Sequence, residues 1–194
     1  VKVIDFFTLL FEASQPYKNF DKKIIFRLNG VSQSHEGISI KEKMIPLVKR
    51  EPELIHGIRN IVHNALKFSK SHVDINLITN SRKINLEITD DGKGFPNDIT
   101  NMIGEPFLKK SNFYLMEVKN KTFEEGMGLG LFIANILLEK TNGRLKFSNI
   151  KHIENDGKKR TTGAKVEISW ERSSIEVLQW DKKAKMKENP RNVS

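Results

Sequence analysis

The residues best equipped for chemistry fall in three short stretches. In RNIVHNALKFS, residues 59–69, Asn60 and Asn64 stand one helical turn apart and Lys67 continues the row. Asparagine is a poor helix-interior residue, because its amide competes for backbone hydrogen bonds. Two amide oxygens and an ammonium on one rigid face suit a hard cation and its attached phosphates, with the Asn64 oxygen as a neutral Mg²⁺ ligand and waters completing the shell. The plainer reading of that stripe is a solvated helix face. In ITDDGKGFP, residues 88–96, Asp90, Gly92 and Gly94 have D-x-G-x-G spacing. The carboxylate can accept from the exocyclic amine of a purine, and the glycines let a flat ring approach the backbone. Taken alone, the same residues make an Asp-Gly turn. In EEGMGLGLFIANIL, residues 124–137, Gly126, Gly128 and Gly130 open an apolar helix whose unpaired N–H groups and positive dipole end favour an anion.

Regular elements must hold these residues in place. Pro52 is suited to a first helical turn, and the periodicity continues to Phe68. At about 100° per residue, Leu54, Ile58, Ile61, Val62 and Ala65 share one face and His56, Asn60, His63, Asn64 and Lys67 the other. Strands are predicted over 24–28, ending at Asn29 and Gly30, in a short piece around 44–48, and in the alternating segments 73–77 and 84–88. The latter two read as an antiparallel hairpin turning at Thr79, Asn80 and Ser81. A last strand pair, 145–148 and 164–170, is expected to be joined by a polar turn over 152–163. Residues 1–14 have the spacing of an amphipathic helix stopped by Pro16, and 104–125 are polar and aperiodic, of a length uncommon in a compact domain unless the segment is disordered or acts as a lid. Helices gathered on one face of a mixed, mostly antiparallel sheet give an α+β class, a two-layer α/β sandwich.

Composition narrows the functional classes. A chain of 194 residues supports one well-cored domain with an appendage. The formal charge of +9 suits phosphates, nucleic acid or an acidic protein partner alike, and residues 182–191 (KKAKMKENPR) concentrate part of it in a segment expected to be solvated or disordered, with no aromatic residue beyond Trp180. Without cysteine there is no disulfide, thiolate metal site or cysteine nucleophile. The longest apolar run, Phe6 to Phe11, is interrupted by Thr8 and far short of a membrane span.

The order of these motifs resembles the ATP-binding catalytic domain of sensor histidine kinases, in the superfamily that also holds gyrase, Hsp90 and MutL (the Bergerat fold). RNIVHNALKFS is similar to the family's N box, DDGKGF to its first glycine box, GEPF to its F box and GMGLGLFIANIL to its second glycine box. The match runs over about 20–170, and several strings resemble the RegB/PrrB group of redox-responsive proteobacterial kinases. The resemblance implies ATP and Mg²⁺ as cofactors. It assigns Mg²⁺ to Asn64, phosphates to Asn60 and Lys67, and the adenine amine to Asp90 beside Gly92 and Gly94. It places Phe107 as a lid anchor, and Gly126, Gly128, Leu129 and Gly130 around the phosphates.

The chain also departs from relatives. ATP-hydrolysing members carry an acid one turn before the metal-binding Asn; here that place is Asn60, which cannot act as a base, so transfer to a side chain is favoured over hydrolysis. His63 stands where many histidine kinases have an acid; it is either a packed or solvent-facing histidine or an assistant to the acceptor. None of His35, His56, His63, His72 and His152 has the surroundings of a phosphoacceptor. The acceptor is therefore expected on an upstream dimerisation domain, with residues 1–19 as its end or a linker, 20–170 as the catalytic domain and 171–194 as a basic tail. A response-regulator receiver domain is the expected further partner, with a homodimeric full-length protein, a monomeric isolated domain and no nucleic acid. The domain would be cytoplasmic, in a membrane-bound bacterial sensor. Competing readings are an anti-sigma serine kinase of the same superfamily and a non-catalytic nucleotide-dependent interaction module.

Overall fold

The computed structural model describes residues 2–33, 45–96 and 127–178. Phe107, Gly126 and the expected lid over 104–125 lie outside the described residues.

The chain opens with strand β1 (Val3–Asp5) and helix α1 (Phe6–Ser14). Asp5 sets the boundary between them, since its carboxylate accepts from the Thr8 amide at 2.8 Å and caps the first turn. A 3₁₀ turn containing Pro16 follows α1, where the sequence places the stop. Helix α1, within residues 1–19 expected to end an upstream helical domain or form a linker, packs into the core of this domain. Phe6, Phe7, Leu9, Leu10 and Ala13 are fully buried in the same core as the sheet, and the Phe6 ring meets Trp170 edge to face at 5.5 Å. The amphipathic pattern says that α1 must bury a face; only the fold says against what.

Strand β2 (Lys23–Leu28) turns through Asn29 and Gly30, both at positive φ, into the short β3 (Val31–Gln33). Strand β4 (Leu47–Lys49) pairs with β1 and leads into α2 (Pro52–Phe68), which has the bounds its sequence predicts. The hairpin β5 (His72–Thr79) and β6 (Lys83–Asp90) follows. Helix α3 (Met127–Lys140), β7 (Arg144–Ile153), β8 (Lys159–Glu171) and the single turn α4 (Arg172–Ile175) complete the described chain. The main sheet has the order β3-β2-β5-β6-β8-β7, antiparallel throughout except for the parallel pair β2 and β5.

Strand alternation separates the two faces of this sheet. Val73, Ile75, Leu77, Ile84, Leu86, Ile88, Val166, Ile168 and Trp170 are buried in the core shared with the helices. The alternate positions carry polar groups, among them the ion pairs Arg27–Asp74 at 2.6 Å and Lys165–Glu87 at 2.8 Å. One face is thus covered by helices and the other is polar, as an α+β two-layer sandwich requires.

Two expectations change. Strands β7 and β8 run well into the segment read as a turn over 152–163, leaving only residues 154–158 between them. Their outer halves form an exposed polar ribbon, which has no buried face and hence no hydrophobic alternation to announce it. Residues 171–178, assigned to a basic tail, are also built into the domain: Glu171 ends β8, Glu176 bridges to Val48, and the Val177 amide donates to Leu47 at 2.7 Å. The rest of the expected tail lies outside the described residues.

Candidate functional site

Helix α3 ends in a Schellman turn. The Gly143 amide donates to Leu138 at 2.9 Å and that of Asn142, at φ 62°, to Glu139 at 3.0 Å. This end lies beside Trp170, whose indole N–H donates to Thr141 Oγ1 at 3.0 Å. Trp170 pairs with Ile84, at the opposite end of β6 from Asp90. Where α3 crosses α2, Leu138 occupies the space a side chain at Gly57 would need. The C-terminal half of α3 therefore lies beside the start of α2, and the helices run antiparallel. A helix of this length spans about 20 Å, which carries the first turn of α3 to the Asp90 end of the sheet. Gly128 and Leu129 belong to that turn, and a Cβ built at Gly130 meets no atom within 4 Å.

The last turn of α2 reaches the same end. Asn60 and Asn64, on the preceding turns of α2, are half-buried, and the exposed Lys67 in the last turn places its ammonium 5.5 Å from the Phe68 ring centroid. Lys22 caps this helix, its Nζ donating to the Leu66 carbonyl at 2.6 Å and the Ser69 carbonyl at 2.7 Å. A cation on the last carbonyls also offsets the negative end of the helix dipole. Lys22→Met is expected to cost about 1 kcal/mol, lowering the thermal midpoint by about 2–4 °C; an unchanged midpoint would show that the cap contributes nothing.

Asp90 closes β6 and is 8% exposed. Its Oδ1 accepts from the Gly92 amide at 2.8 Å and the Ala164 amide at 3.3 Å, and all its hydrogen bonds from described residues end on that oxygen. Burial pushes the carboxyl above its ordinary value against the opposing pull of those two amides. Gly92 is required by close approach, since a Cβ there would overlap the Phe68 carbonyl at the end of α2. Gly94 has φ +81°, and a Cβ would lie 2.5 Å from Thr161 Cγ2 and 2.7 Å from Asn149 Oδ1. The turn is thus pressed between the end of α2 on one side and the β7–β8 ribbon on the other.

Asp91 fastens the first of these contacts. Its carboxylate accepts from the amides of Lys70 and Ser71 at 2.8 and 3.0 Å, and from the Ser71 hydroxyl at 2.5 Å. Burial acts to raise this carboxyl and is outweighed by hydrogen bonds from Ser71, Lys70 and His72, which hold it well below the usual carboxylate range. A group with a depressed folded-state value contributes stability above about pH 4 that is lost as the pH falls toward that value. The thermal midpoint is expected to drop on acidification below about pH 4, and Asp91→Asn to flatten that drop. Identical acid profiles would exclude this role.

The structure thus brings Asn64, Lys67, Asp90, Gly92, Gly94 and the first turn of α3 to one end of the sheet. It gives His63 different company: its ring stacks on Tyr17 at 5.2 Å and 16°. Among the described residues no group of three or more His, Cys, Asp or Glu forms a metal cluster. A single neutral amide such as Asn64 fits Mg²⁺ carried mainly by phosphates and water. Sequence reading missed Lys22, Asp91, Asn149 and Gly163. Of these only Asp91 had a local signal, the second carboxylate of the Asp-Asp-Gly turn.

The chain is similar to known proteins in sequence and in fold. Residues 49–174 match the family described as histidine kinase-, DNA gyrase B-, and HSP90-like ATPase. Sensor histidine kinase RegB of Cereibacter sphaeroides is 35% identical over 164 residues, 84% of this chain and 34% of that protein. The signal transduction histidine-protein kinase ArlS of Staphylococcus haemolyticus is 27% identical over 131 residues, 64% of this chain and 28% of that one. The chain spans about a third of the length of these curated relatives. Among solved structures, the mycobacterial sensor histidine kinase MprB aligns with a TM-score of 0.59 and 18% identity, covering 91% of this chain and 99% of its own. A nucleotide-free catalytic domain of the histidine kinase ThkA aligns with 0.55 and 15%, covering 88% and 96%. Those two likenesses are of fold. Together with the sheet order and the shared end of α2, β6 and α3, the sequence match shows that the chain belongs to the histidine kinase-, DNA gyrase B-, and HSP90-like ATPase family.

Proposed function

We propose that this chain is the ATP-binding catalytic part of a two-component sensor kinase. It binds Mg·ATP and delivers the γ-phosphoryl group to a histidine on an upstream dimerisation domain, from which a response-regulator receiver domain draws it. The observation that carries this reading is one buried carboxylate, Asp90, held by two backbone amides at the end of the sheet where α2 stops and α3 starts. In this reading Asp90 accepts from the adenine amine, and the Asn64 oxygen holds Mg²⁺. Asn60, Lys67 and the first-turn amides of α3, with Gly128, Leu129 and Gly130, contact the phosphates. Phe107 and Gly126 are assigned to the lid by resemblance alone.

Catalysis is then positioning and charge neutralisation. The bond from the γ-phosphorus to the ADP oxygen breaks, ADP leaves with the electron pair, a bond forms to an imidazole nitrogen, and that ring gives up its N–H proton. His63 is exposed on α2 with one ring face stacked on Tyr17, and in this reading it is the side chain that would assist the acceptor histidine. Asn60 offers no carboxylate to activate water, which keeps hydrolysis from competing with transfer. The full-length protein would be a homodimer and the isolated domain a monomer, cytoplasmic in a membrane-attached sensor. Among the described residues no helix is long and apolar enough to cross a membrane.

Titration calorimetry with a non-hydrolysable ATP analogue, with and without Mg²⁺, tests the first half. One-to-one saturable binding strengthened by Mg²⁺ is expected, and its absence in a folded chain would overturn the proposal. The second half is tested by joining the upstream domain and assaying acid-labile phosphohistidine. Binding without transfer would leave a nucleotide-dependent interaction module.

A further inference from the structure

Asn149 lies two residues beyond Phe147, the last buried position of β7, on the same strand face and on the strand that forms the outer edge of the sheet. Its side chain does not point idly at solvent. Asn149 Oδ1 accepts from the Phe95 amide at 2.7 Å, and Asn149 Nδ2 donates to the Phe95 carbonyl at 2.9 Å. A primary amide that donates and accepts on one residue's backbone imitates a pair of strand hydrogen bonds, so residue 95 is tied to β7 although 54 positions separate the two. The same Oδ1 is among the atoms nearest to Gly94. Phe95 is buried, and its ring packs edge to face on Phe147 at 5.8 Å, which anchors the far side of the turn.

The Asp90–Phe95 turn is therefore suspended at both ends. Asp91 fixes its start to the amides after α2, and Asn149 fixes its finish to β7. Gly92 and Gly94 stand between these anchors and Asp90 immediately precedes the first; these are the residues assigned to the purine. Backbone placement there decides where a ring can lie and how the Asp90 carboxylate meets its exocyclic amine. The strand register on the ribbon side serves the same end: β7 and β8 shift register between Ile150 and Lys151, immediately after Asn149, opposite the segment from Thr161 to Gly163 that abuts Gly94 and Asp90.

We infer that Asn149 is a positioning residue for nucleobase recognition, acting through the Phe95 backbone to hold the D-x-G-x-G turn against an adenine ring. This rests on the proposed nucleotide reading of the site. It makes the β7–β8 ribbon part of the recognition apparatus, and it separates base selection, which passes through Asn149, from phosphate and Mg²⁺ binding, which passes through α2 and α3.

The test compares adenine with guanine nucleotides on the 194-residue chain. Loss of two backbone hydrogen bonds in Asn149→Ala is expected to weaken binding of the Mg-bound non-hydrolysable ATP analogue about tenfold, while the weaker binding of the matching GTP analogue stays at its wild-type value. Asn149→Asp, which keeps the bond from the Phe95 amide and sets a carboxylate oxygen against the Phe95 carbonyl, should lose discrimination in the same direction. Hydrogen exchange at the Phe95 amide should quicken in both variants. Wild-type affinity for the adenine analogue in a folded variant would overturn the inference. A parallel loss for both nucleotides would do so too, since that is what general loosening of the domain produces. If the wild-type chain binds neither nucleotide, the proposed function itself fails and the inference falls with it; if it binds the adenine analogue and the variants keep their discrimination, only the role of Asn149 fails.

Discussion

Asp90→Asn should weaken adenine-nucleotide binding by at least about 30-fold while leaving the chain folded. The substitution keeps the shape of the side chain and one oxygen, which can continue to accept from the Gly92 and Ala164 amides. What changes is the second terminal atom. An amide NH₂ then confronts the exocyclic NH₂ of adenine, so a hydrogen bond to a charged acceptor becomes a meeting of two donors. The loss is expected to be about 2–3 kcal/mol from the missing charged hydrogen bond alone, or roughly 30- to 150-fold in affinity, with the donor clash added to it. Calorimetry on the variant beside a thermal melt distinguishes the cases. Retained binding would mean that the base is read elsewhere, and a lost melt would mean that Asp90 acts mainly on the fold. Burial already raises this carboxyl, so exchanging it for a neutral amide removes a desolvated charge and is not expected to unfold the domain.

The largest effect on stability is expected at Gly163. A Cβ built there overlaps the Asp90 carbonyl, and the next nearest atoms are backbone of Asp90 and Asp91. Backbone cannot swing aside as a long side chain can, so Gly163→Ala must push β8 from β6 or displace the Asp90 turn. Overpacking of this kind costs about 1–3 kcal/mol, and more where the obstructing atom is backbone. Gly157→Ala is the matched control: it has φ +80° with open space around the added methyl, so backbone strain alone remains, about 1 kcal/mol. Urea midpoints of both variants decide the matter. Equal losses would show that the close approach at Gly163 is relaxed in solution, whereas a clearly larger loss at 163, accompanied by weaker nucleotide binding, would join the strand packing to the site.

How far the sequence carried depended on the range of the forces involved. Helix α2 was legible to its terminal residues because a first-turn proline, an apolar stripe and a polar stripe are all local. The β5–β6 hairpin was legible because alternation and turn residues are local too. The spacing of α1 shows that a face will be buried without naming the surface that buries it, which is the core of this domain. The outer ribbon of β7 and β8 was read as a turn because strands exposed on both faces carry no hydrophobic rhythm. In the site, the Asn/Lys stripe and the D-x-G-x-G turn were visible by residue type and spacing. The supports behind them were not. Lys22 meets Leu66 across 44 positions, and Ala164 meets Asp90 across 74, contacts that exist only once the sheet has formed.

One consequence concerns how such a domain can be moved between proteins. Strand β4 is flanked by β1 on one side and touched by Glu176 on the other, both through Val48, so the incoming and outgoing chain are stitched to the same three residues. A graft cut at residue 20 would strip β4 of a neighbour and remove five fully buried side chains of α1 from the core. The transferable cassette is instead the whole span from β1 through Glu176, a unit that carries its own fastening. Because both of its ends emerge at that one clasp, a new input module joined upstream and a reporter joined downstream would meet at the same corner of the domain.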